Sequence, residues 1–344
     1  MTIIWFSLLH YYTTISGFLC YFFIFKKSIN ISKIDALILF SLILLFVFQI
    51  LNKNLNSVII DFRFYWGWII FYFIFKEINV SKKIIVDALA LMSVLTLVET
   101  VLINTIIPPH QLPNFPDLQG GITEYRGEGY YQRPYSFGAS ATVGSSLLVT
   151  LMALCNVQGW RFWLSVIAVL LFVSGTGIIA LFVLLLVRYR LLIIKAALPL
   201  VLILFLSATV FPEIILSIND EFLRKVGVKY IDEIIDLKFF SIVETYQQLD
   251  FYSLMFGDPD GFRGGDFGSL AFVLSNGFFG LILFLTLTVS RINRANIFPL
   301  FLILATTFHY PVIFFLPGQM ILGLLLSLDK VGLLEEVDNN PKRR

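Results

Sequence analysis

Charge is scarce in this chain: Asp, Glu, Lys and Arg make up 14% of its 344 residues, well below the quarter or so usual in soluble domains. That shortage excludes an ordinary soluble enzyme. The few charges nearly cancel, at 25 basic against 23 acidic, so no basic surface points to nucleic acid. Histidine and cysteine are scarcer still, at three and two. Cys20 and Cys155 fall on different apolar stretches, which excludes a disulfide scaffold and leaves them as packing residues. Neither GxxxxGK[ST] nor a GxGxxG following a strand is present, so ATP, NAD and nucleotide-sugar chemistry are not expected. There is no repeat of fixed period and no low-complexity segment.

What the chain has instead is apolar length. Hydrophobic residues make up 58%, Phe alone accounts for 36 positions, and the mean hydropathy is +0.86. About 20 apolar residues cross a bilayer as a helix, the open structure that satisfies its own backbone there. Windows that qualify are 3–25, 34–51, 58–75, 84–106, 139–156, 191–211 and 266–289. Two longer stretches, 160–187 and 297–328, would be about 42 and about 48 Å long as single helices, more than a bilayer needs. Each breaks near its middle, at Ser174-Gly175-Thr176-Gly177 and at His309-Tyr310-Pro311. Each is therefore read as two short helices folded back on one another.

Orientation comes from the placement of Lys and Arg. Lys26, Lys27 and Lys33 mark one link, Lys76, Lys82 and Lys83 a second, and Arg161, Arg188, Arg190, Lys195, Arg291 and Arg294 the next three. Together with Lys330, Lys342, Arg343 and Arg344 they define a cytoplasmic side. The sequence thus predicts an all-α polytopic integral membrane protein of about eleven transmembrane helices, N-terminus out and C-terminus in. Its organisation is N-terminal helices over 1–106, a first large outer loop over 107–138, and central helices over 139–211 with a break at Ser174–Gly177. A second large outer loop over 212–265, C-terminal helices over 266–328 and a cytoplasmic tail over 329–344 complete it. Met1 to Phe25 lacks a basic start and a small-residue cleavage site, so it is read as a retained span.

The inner links are too short for a nucleotide-binding domain, so chemistry is sought on the outer face. The first outer loop carries Glu124-Tyr125-Arg126-Gly127-Glu128-Gly129-Tyr130-Tyr131-Gln132-Arg133-Pro134. Two arginines interleaved with tyrosines at a helix entrance suit an anionic, sugar-bearing ligand, because guanidinium forks bind phosphate oxygens bidentately. The plainer reading is a solvated loop whose charges pair among themselves. In the second loop, Ile214, Ile215, Ile218, Phe222, Val226, Tyr230 and Ile234, then Phe239, Phe240, Val243, Tyr246 and Leu249, predict two amphipathic helices on the membrane surface or over a cavity. The loop ends by delivering Arg263 and Asp266 to the mouth of the next span. Asp258-Pro259-Asp260 matches the DxD of some sugar transferases, but Asp-Pro-Asp-Gly is above all a turn, and no metal is assigned to it.

Ionisable residues at membrane depth are costly and therefore informative. Glu99 is the deepest. Asp61 and Arg63, two apart at the outer end of the third span, do not face each other on a helix, but either can turn into an outer cavity; for Arg63 the plainer alternative is snorkelling to the surface. Asp87 lies near the inner surface. His10 and His309 are isolated, and His309, at a hairpin tip, is the better placed for proton transfer.

Taken in order, these features resemble the O-antigen polymerase and ligase superfamily of bacterial envelope glycan assembly. Arg126-Gly127-Glu128-Gly129 followed by Arg133-Pro134-Tyr135-Ser136-Phe137-Gly138 is similar to its arginine, glycine and Pro-x-x-x-Gly pattern. Leu171 to Gly177 is similar to its helix break. Leu254-Met255-Phe256-Gly257, then Asp266-Phe267-Gly268-Ser269-Leu270 and Asn276-Gly277-Phe278-Phe279-Gly280-Leu281, is similar to the segment that ends its large outer loop. The resemblance covers residues 120–290. Gly265-Asp266 stands where the ligase branch commonly has His, and Gly175 where the break usually has Arg; both departures favour the polymerase branch.

The resemblance implies a GT-C-like fold with its catalytic cavity on the periplasmic side of the inner membrane. It implies undecaprenyl-diphosphate-linked oligosaccharides as substrates, membrane lipid around the chain, a chain-length regulator and a flippase as partners, and no cofactor. Negative charge develops on the diphosphate leaving group, which preorganised guanidinium groups stabilise in a low-dielectric site. Arg126, Arg133 and Arg263 are the candidates, with Arg63, Tyr130, Tyr131 and His309 completing the substrate-binding set. The acceptor hydroxyl needs a base, for which Asp266 is the first choice and Glu128 the second. The rivals are a ligase that transfers the glycan to a lipid A-core acceptor and, from a different class, a membrane transporter or flippase. The latter predicts broken helices with ionisable groups at depth.

Overall fold

The computed structural model describes residues 31–78, 80–106, 133–134, 140–189, 244, 246–258 and 268–328. Among them the regular elements are helices, with no strand. In chain order they are α1 (Lys33–Asn52), α2 (Leu55–Trp66), α3 (Trp68–Glu77) and α4 (Lys82–Val101), the last extended by a π-helical turn over Leu102–Ile106. Then come α5 (Ala141–Cys155), α6 (Trp160–Leu171), α7 (Gly175–Tyr189), α8 (Phe251–Phe256) and α9 (Gly268–Ser290). The last two are α10 (Ile297–His309) and α11 (Leu316–Ser327), joined through a 3-10 turn at Val312–Phe314. Among the described residues, three helices are long and apolar enough to cross a membrane: Lys33–Leu51, Lys82–Thr105 and Gly268–Ser290. Counting the bent pair α2–α3 as one span makes four. This is the architecture of a helical, membrane-embedded protein.

The chain divides into two compact units, Met1–Leu181 with Tyr252–Arg344, and Phe182–Phe251. In the second, the Arg188 guanidinium lies 5.3 Å over the Tyr189 ring. The first holds the long helices.

Within it α9 is the most enclosed of the three long helices, with 56% of its apolar window buried against 28% for α1 and α4. Its far end reaches a charged tie. Ser32 caps α1 in a capping box with Asp35, and Asp35, fully buried, also takes the Tyr72 hydroxyl at 2.9 Å, the Lys76 ammonium at 2.6 Å and the Arg291 guanidinium. The start of α1, the end of α3 and the end of α9 therefore share one end of the molecule. It is the end that the charge pattern assigns to the cytoplasm, and we call it the basic end. A second pair, Arg161 with Asp87 at 2.8 Å, ties α6 to α4.

The window 58–75 resolves into α2 and α3, bent by 46° at Gly67. A bend releases carbonyls that the helix no longer serves, and in hydrocarbon they need another donor. The Gln319 side-chain amide of α11 lies 3.0 Å from the Arg63 carbonyl, 2.8 Å from that of Phe64 and 2.8 Å from that of Phe314. Beyond the bend α3 runs closely along α11, where Gly323 meets the backbone of Phe71 and Tyr72, the close approach that small residues permit between membrane helices.

Both long stretches are broken near the middle, 297–328 at the expected residues and 160–187 just ahead of them, with Gly175–Gly177 already helical. Over 297–328 the halves are antiparallel. Asn296 at the start of α10 bonds the Leu325 carbonyl near the end of α11 at 2.9 Å, while Tyr310 and Phe315 stack at the tip with centroids 5.7 Å apart. Over 160–187 the break falls at Phe172–Ser174, with Val173 at φ +46°. Ser174 bonds Thr142 at 3.2 Å, and Gly177 packs on Ser145 one turn deeper in α5. So the start of α7 runs along α5 in the same direction, whereas α6, leaving the short turn after Cys155, opposes it. Cys155 is buried; Cys20 lies outside the described residues.

Candidate functional site

At the end of α9 away from Arg291, polar side chains gather around a break in that helix. Gly277 has φ +67° and ψ −176° in the middle of an apolar run, so the carbonyls just before it lose their helical donors. They are served from elsewhere. The Asp258 amide donates to the Leu274 carbonyl at 2.8 Å. The Ser275 carbonyl accepts from Gln49 Nε2 at 3.1 Å and from Lys53 Nζ at 3.0 Å. Gln49 donates also to the Phe256 carbonyl at 3.0 Å. The Asn276 side chain accepts from Trp66 Nε1 at 2.8 Å.

Local sequence explains why the donors arrive there. Lys53 ends α1 in extended conformation, its amide held by the Gln49 carbonyl, and Asn54 caps α2 immediately afterwards. This two-residue turn folds the Lys53 stem back along α2, whose buried face is Val58, Asp61 and Tyr65 at helical spacing. The ammonium reaches the Asp61 carboxylate at 3.4 Å, with the two side chains 0% and 1% exposed. A pair so enclosed holds together because removing either partner leaves a buried charge.

Two glycines interlock at the same point. Gly257, at φ +101°, sets its bare Cα against the Ser275 carbonyl, and Gly277 sets its own against the Met255 carbonyl. No side chain fits at either position, and L-residues avoid both conformations. The end of α8 is thereby fixed against the break in α9. The hairpin tip joins the same end: Gly268 opens α9 against Pro311, and Phe314 stacks on Phe272 with centroids 5.4 Å apart.

Of the sequence-assigned site residues, three are among the described ones. His309 ends α10, exposed, at the tip that packs on the first turn of α9. Arg133 is half-buried beside buried Pro134. Arg63 is exposed on α2 and lines a cavity of about 710 Å³ between α1 and α2–α3. Arg126, Glu128, Tyr130, Tyr131, Arg263 and Asp266 lie outside the described residues, as do most of the two outer loops. The structure therefore places the His309 tip beside the first turn of α9, and the Arg63 carbonyl accepts from Gln319 of the same hairpin.

Sequence reasoning missed Gln49 and Lys53, and it placed Asp61 at the outer end of its span, able to turn into an outer cavity, without naming its partner. The signal was present: one amide and one ammonium at the end of an otherwise apolar window are expensive there unless partnered. Glu99 is only half-buried, near the end of α4. Among the described residues no three of His, Cys, Asp and Glu meet in a way that would hold a metal ion. Comparison of the chain with models of protein families, with curated proteins and with solved structures gave no match.

Proposed function

We propose that this chain is a membrane glycosyltransferase that polymerises undecaprenyl-diphosphate-linked oligosaccharide repeat units into O-antigen or a related surface polysaccharide, at the periplasmic face of the bacterial inner membrane. The observation that carries the reading is the ordered set of motifs from Arg126 to Gly280. It draws support from the way two of them, Met255-Phe256-Gly257 and Ser275-Asn276-Gly277, interlock backbone to backbone. Asp258 and Gly268, the described residues that flank Arg263 and Asp266 in the sequence, are themselves held by a backbone bond and by close packing, in keeping with the fixed surroundings that positioned catalytic groups require.

In the proposed reaction the acceptor hydroxyl attacks the anomeric carbon of the donor, and its proton passes to Asp266 or, failing that, to Glu128. The glycosidic bond forms as the bond to the lipid diphosphate breaks, and Arg126, Arg133 and Arg263 take up the departing negative charge. Arg126→Ala and Arg133→Ala are each expected to abolish long-chain glycan in a polymerase-null strain while the protein still reaches the membrane. Asp266→Asn should do the same. Normal polymer length in both arginine variants ends this site assignment, and rescue of a ligase-null strain instead moves the reading to the ligase.

One observation favours a second reading. A buried ammonium-carboxylate pair beside a broken helix is what a carrier uses to couple an ion to its substrate. Were Lys53 and Asp61 to serve that purpose, neutralising both would stop transport and leave no glycan phenotype of its own.

A further inference from the structure

α4 and α6 lie side by side and run the same way: Asp87 pairs with Arg161 at 2.8 Å, and further along both helices Ser93 meets Ser165 at 2.9 Å. They do not reach equally far. Beyond the serine contact α4 with its π turn continues for about 18 Å to Thr105, whereas α6 ends about 9 Å on, at Leu171. The pair therefore has a step of about 9 Å at the Thr105 end. Along α6, Trp160, Trp163, Ile167 and Leu170 recur at helical spacing and are between 48% and 67% exposed, so this helix turns a face to lipid over its whole length. Its first turn carries the marks of a membrane interface: two exposed tryptophans, and the Arg161 guanidinium 5.5 Å over the Trp160 ring.

From that interface α6 rises only about 18 Å into a hydrocarbon core of about 30 Å. Its far end is not hydrocarbon-like. The chain turns irregularly through Phe172–Ser174, with Val173 at φ +46°. Val173 and Gly175 are exposed, a Cβ at Gly175 would meet nothing within 4 Å, and the Gly175 and Thr176 amides that open α7 find no acceptor among the described residues. Lipid-exposed irregular backbone is not tolerated in hydrocarbon, because its polar groups have no partner there. A bilayer meets a short apolar wall by thinning, at a small cost for each ångström. We propose that the turn between α6 and α7 thins the bilayer from the Thr105 side, so that water and lipid headgroups come down about 9 Å below the end of α4 and hydrate Val173, Gly175 and Thr176. The partner of this surface is the bilayer itself. Protein holds the inward side of the turn, where Ser174 bonds Thr142 and takes the Gly177 amide at 3.4 Å, so the turn keeps its shape while its outward side is wet. A polar group carried on a lipid has about 20 Å of hydrocarbon to cross at this place instead of about 30 Å. Nothing in this inference depends on the glycosyltransferase reading.

The test is the rate at which single introduced cysteines in the full chain react with a charged, impermeant methanethiosulfonate, above the background of the unsubstituted protein. The protein is reconstituted in vesicles of dimyristoleoyl or of dierucoyl phosphatidylcholine, a thin and a thick bilayer. Thr105→Cys, exposed at the end of α4, sets the rate in water, and Ile167→Cys, midway along the lipid face of α6, sets the rate in hydrocarbon. In the thin bilayer Gly175→Cys and Val173→Cys are expected to react within about tenfold of Thr105→Cys and about a hundredfold faster than Ile167→Cys, since hydrocarbon excludes both the thiolate and the charged reagent. In the thick bilayer, where thinning costs more, both are expected to slow about tenfold relative to Thr105→Cys. Two outcomes overturn the proposal. Rates as low as that of Ile167→Cys mean that hydrocarbon or another part of the chain covers the turn. High rates that are equal in the two bilayers mean that water reaches the turn through a cavity in the protein, with the bilayer unchanged. Val173→Cys alone decides between these results should Gly175→Cys fail to fold.

Discussion

Replacing Lys53 by Met removes an ammonium with 0% exposure from between Asp61 and the Ser275 carbonyl, at 3.4 and 3.0 Å. The stem volume is roughly kept, so the cost is electrostatic. A buried carboxylate deprived of its cation loses about 3–5 kcal/mol, whereas an exposed pair is worth about 1 kcal/mol or less. Asp61→Leu alone strands the ammonium and should cost as much. The double variant strands neither charge; it loses one of the two side-chain donors to the Ser275 carbonyl and keeps Gln49 at 3.1 Å, a loss of about 1 kcal/mol. The double variant should therefore be far more stable than either single one, an interaction energy well outside additivity. Trp66 lies in the same cluster, so its fluorescence reports equilibrium unfolding in mixed micelles. A single Lys53→Met cost below about 1 kcal/mol, or a double variant no better than the singles, refutes the argument from burial.

The opposite tie should respond less. Lys76 and Arg291 keep 20% and 24% side-chain exposure, so in Asp35→Asn both turn to water, and the loss measured in the same unfolding experiment stays below that of Lys53→Met. Gly277→Ala forces a Cβ into the Met255 carbonyl at positive φ, whereas Gly175→Ala meets nothing within 4 Å. The first should abolish monodisperse protein on size exclusion and the second leave it unchanged. Cysteine at exposed Gln247 should be labelled by an impermeant reagent from the outside of intact spheroplasts; labelling only after lysis would put the second large loop in the cytosol.

Apolar length made the long elements legible. The window 34–51 became α1, 84–106 became α4 with its π turn, 139–156 became α5, and 266–289 became α9. The breaks at Ser174 and His309-Tyr310-Pro311 were legible as well, because glycine, serine and proline interrupt helices for local reasons. The bend at Gly67 was not, since one glycine in an apolar run says little without Gln319, far along the chain, to take the released carbonyls. The cluster around Ser275 escaped for the same reason: a lone Gln, a lone Lys and a lone Asp acquire meaning only when the fold brings them together. Of the proposed substrate-binding set, Arg63, Arg133 and His309 have places in the structure, whereas the proposed catalytic Asp266 and Glu128 lie outside the described residues; the motif at 254–257 and 276–280 has a physical purpose, the mutual fit of Gly257 and Gly277.

The donors on Gln49 and Lys53 reach a carbonyl 226 and 222 positions later in the chain. A ribosome releases the first helices long before it makes their acceptor. Lys53 has Asp61 within the same hairpin, but the Gln49 amide has no acceptor there until the later chain is made, and such a donor is costly in hydrocarbon, so the nascent hairpin of α1 and α2 is expected to stay where water reaches its turn. It sinks to its final depth when α9 is inserted beside it. Early and late thirds of the polypeptide thus mature as one event, and a chain stopped before Ser275 should be recognised by quality-control proteases as unfinished.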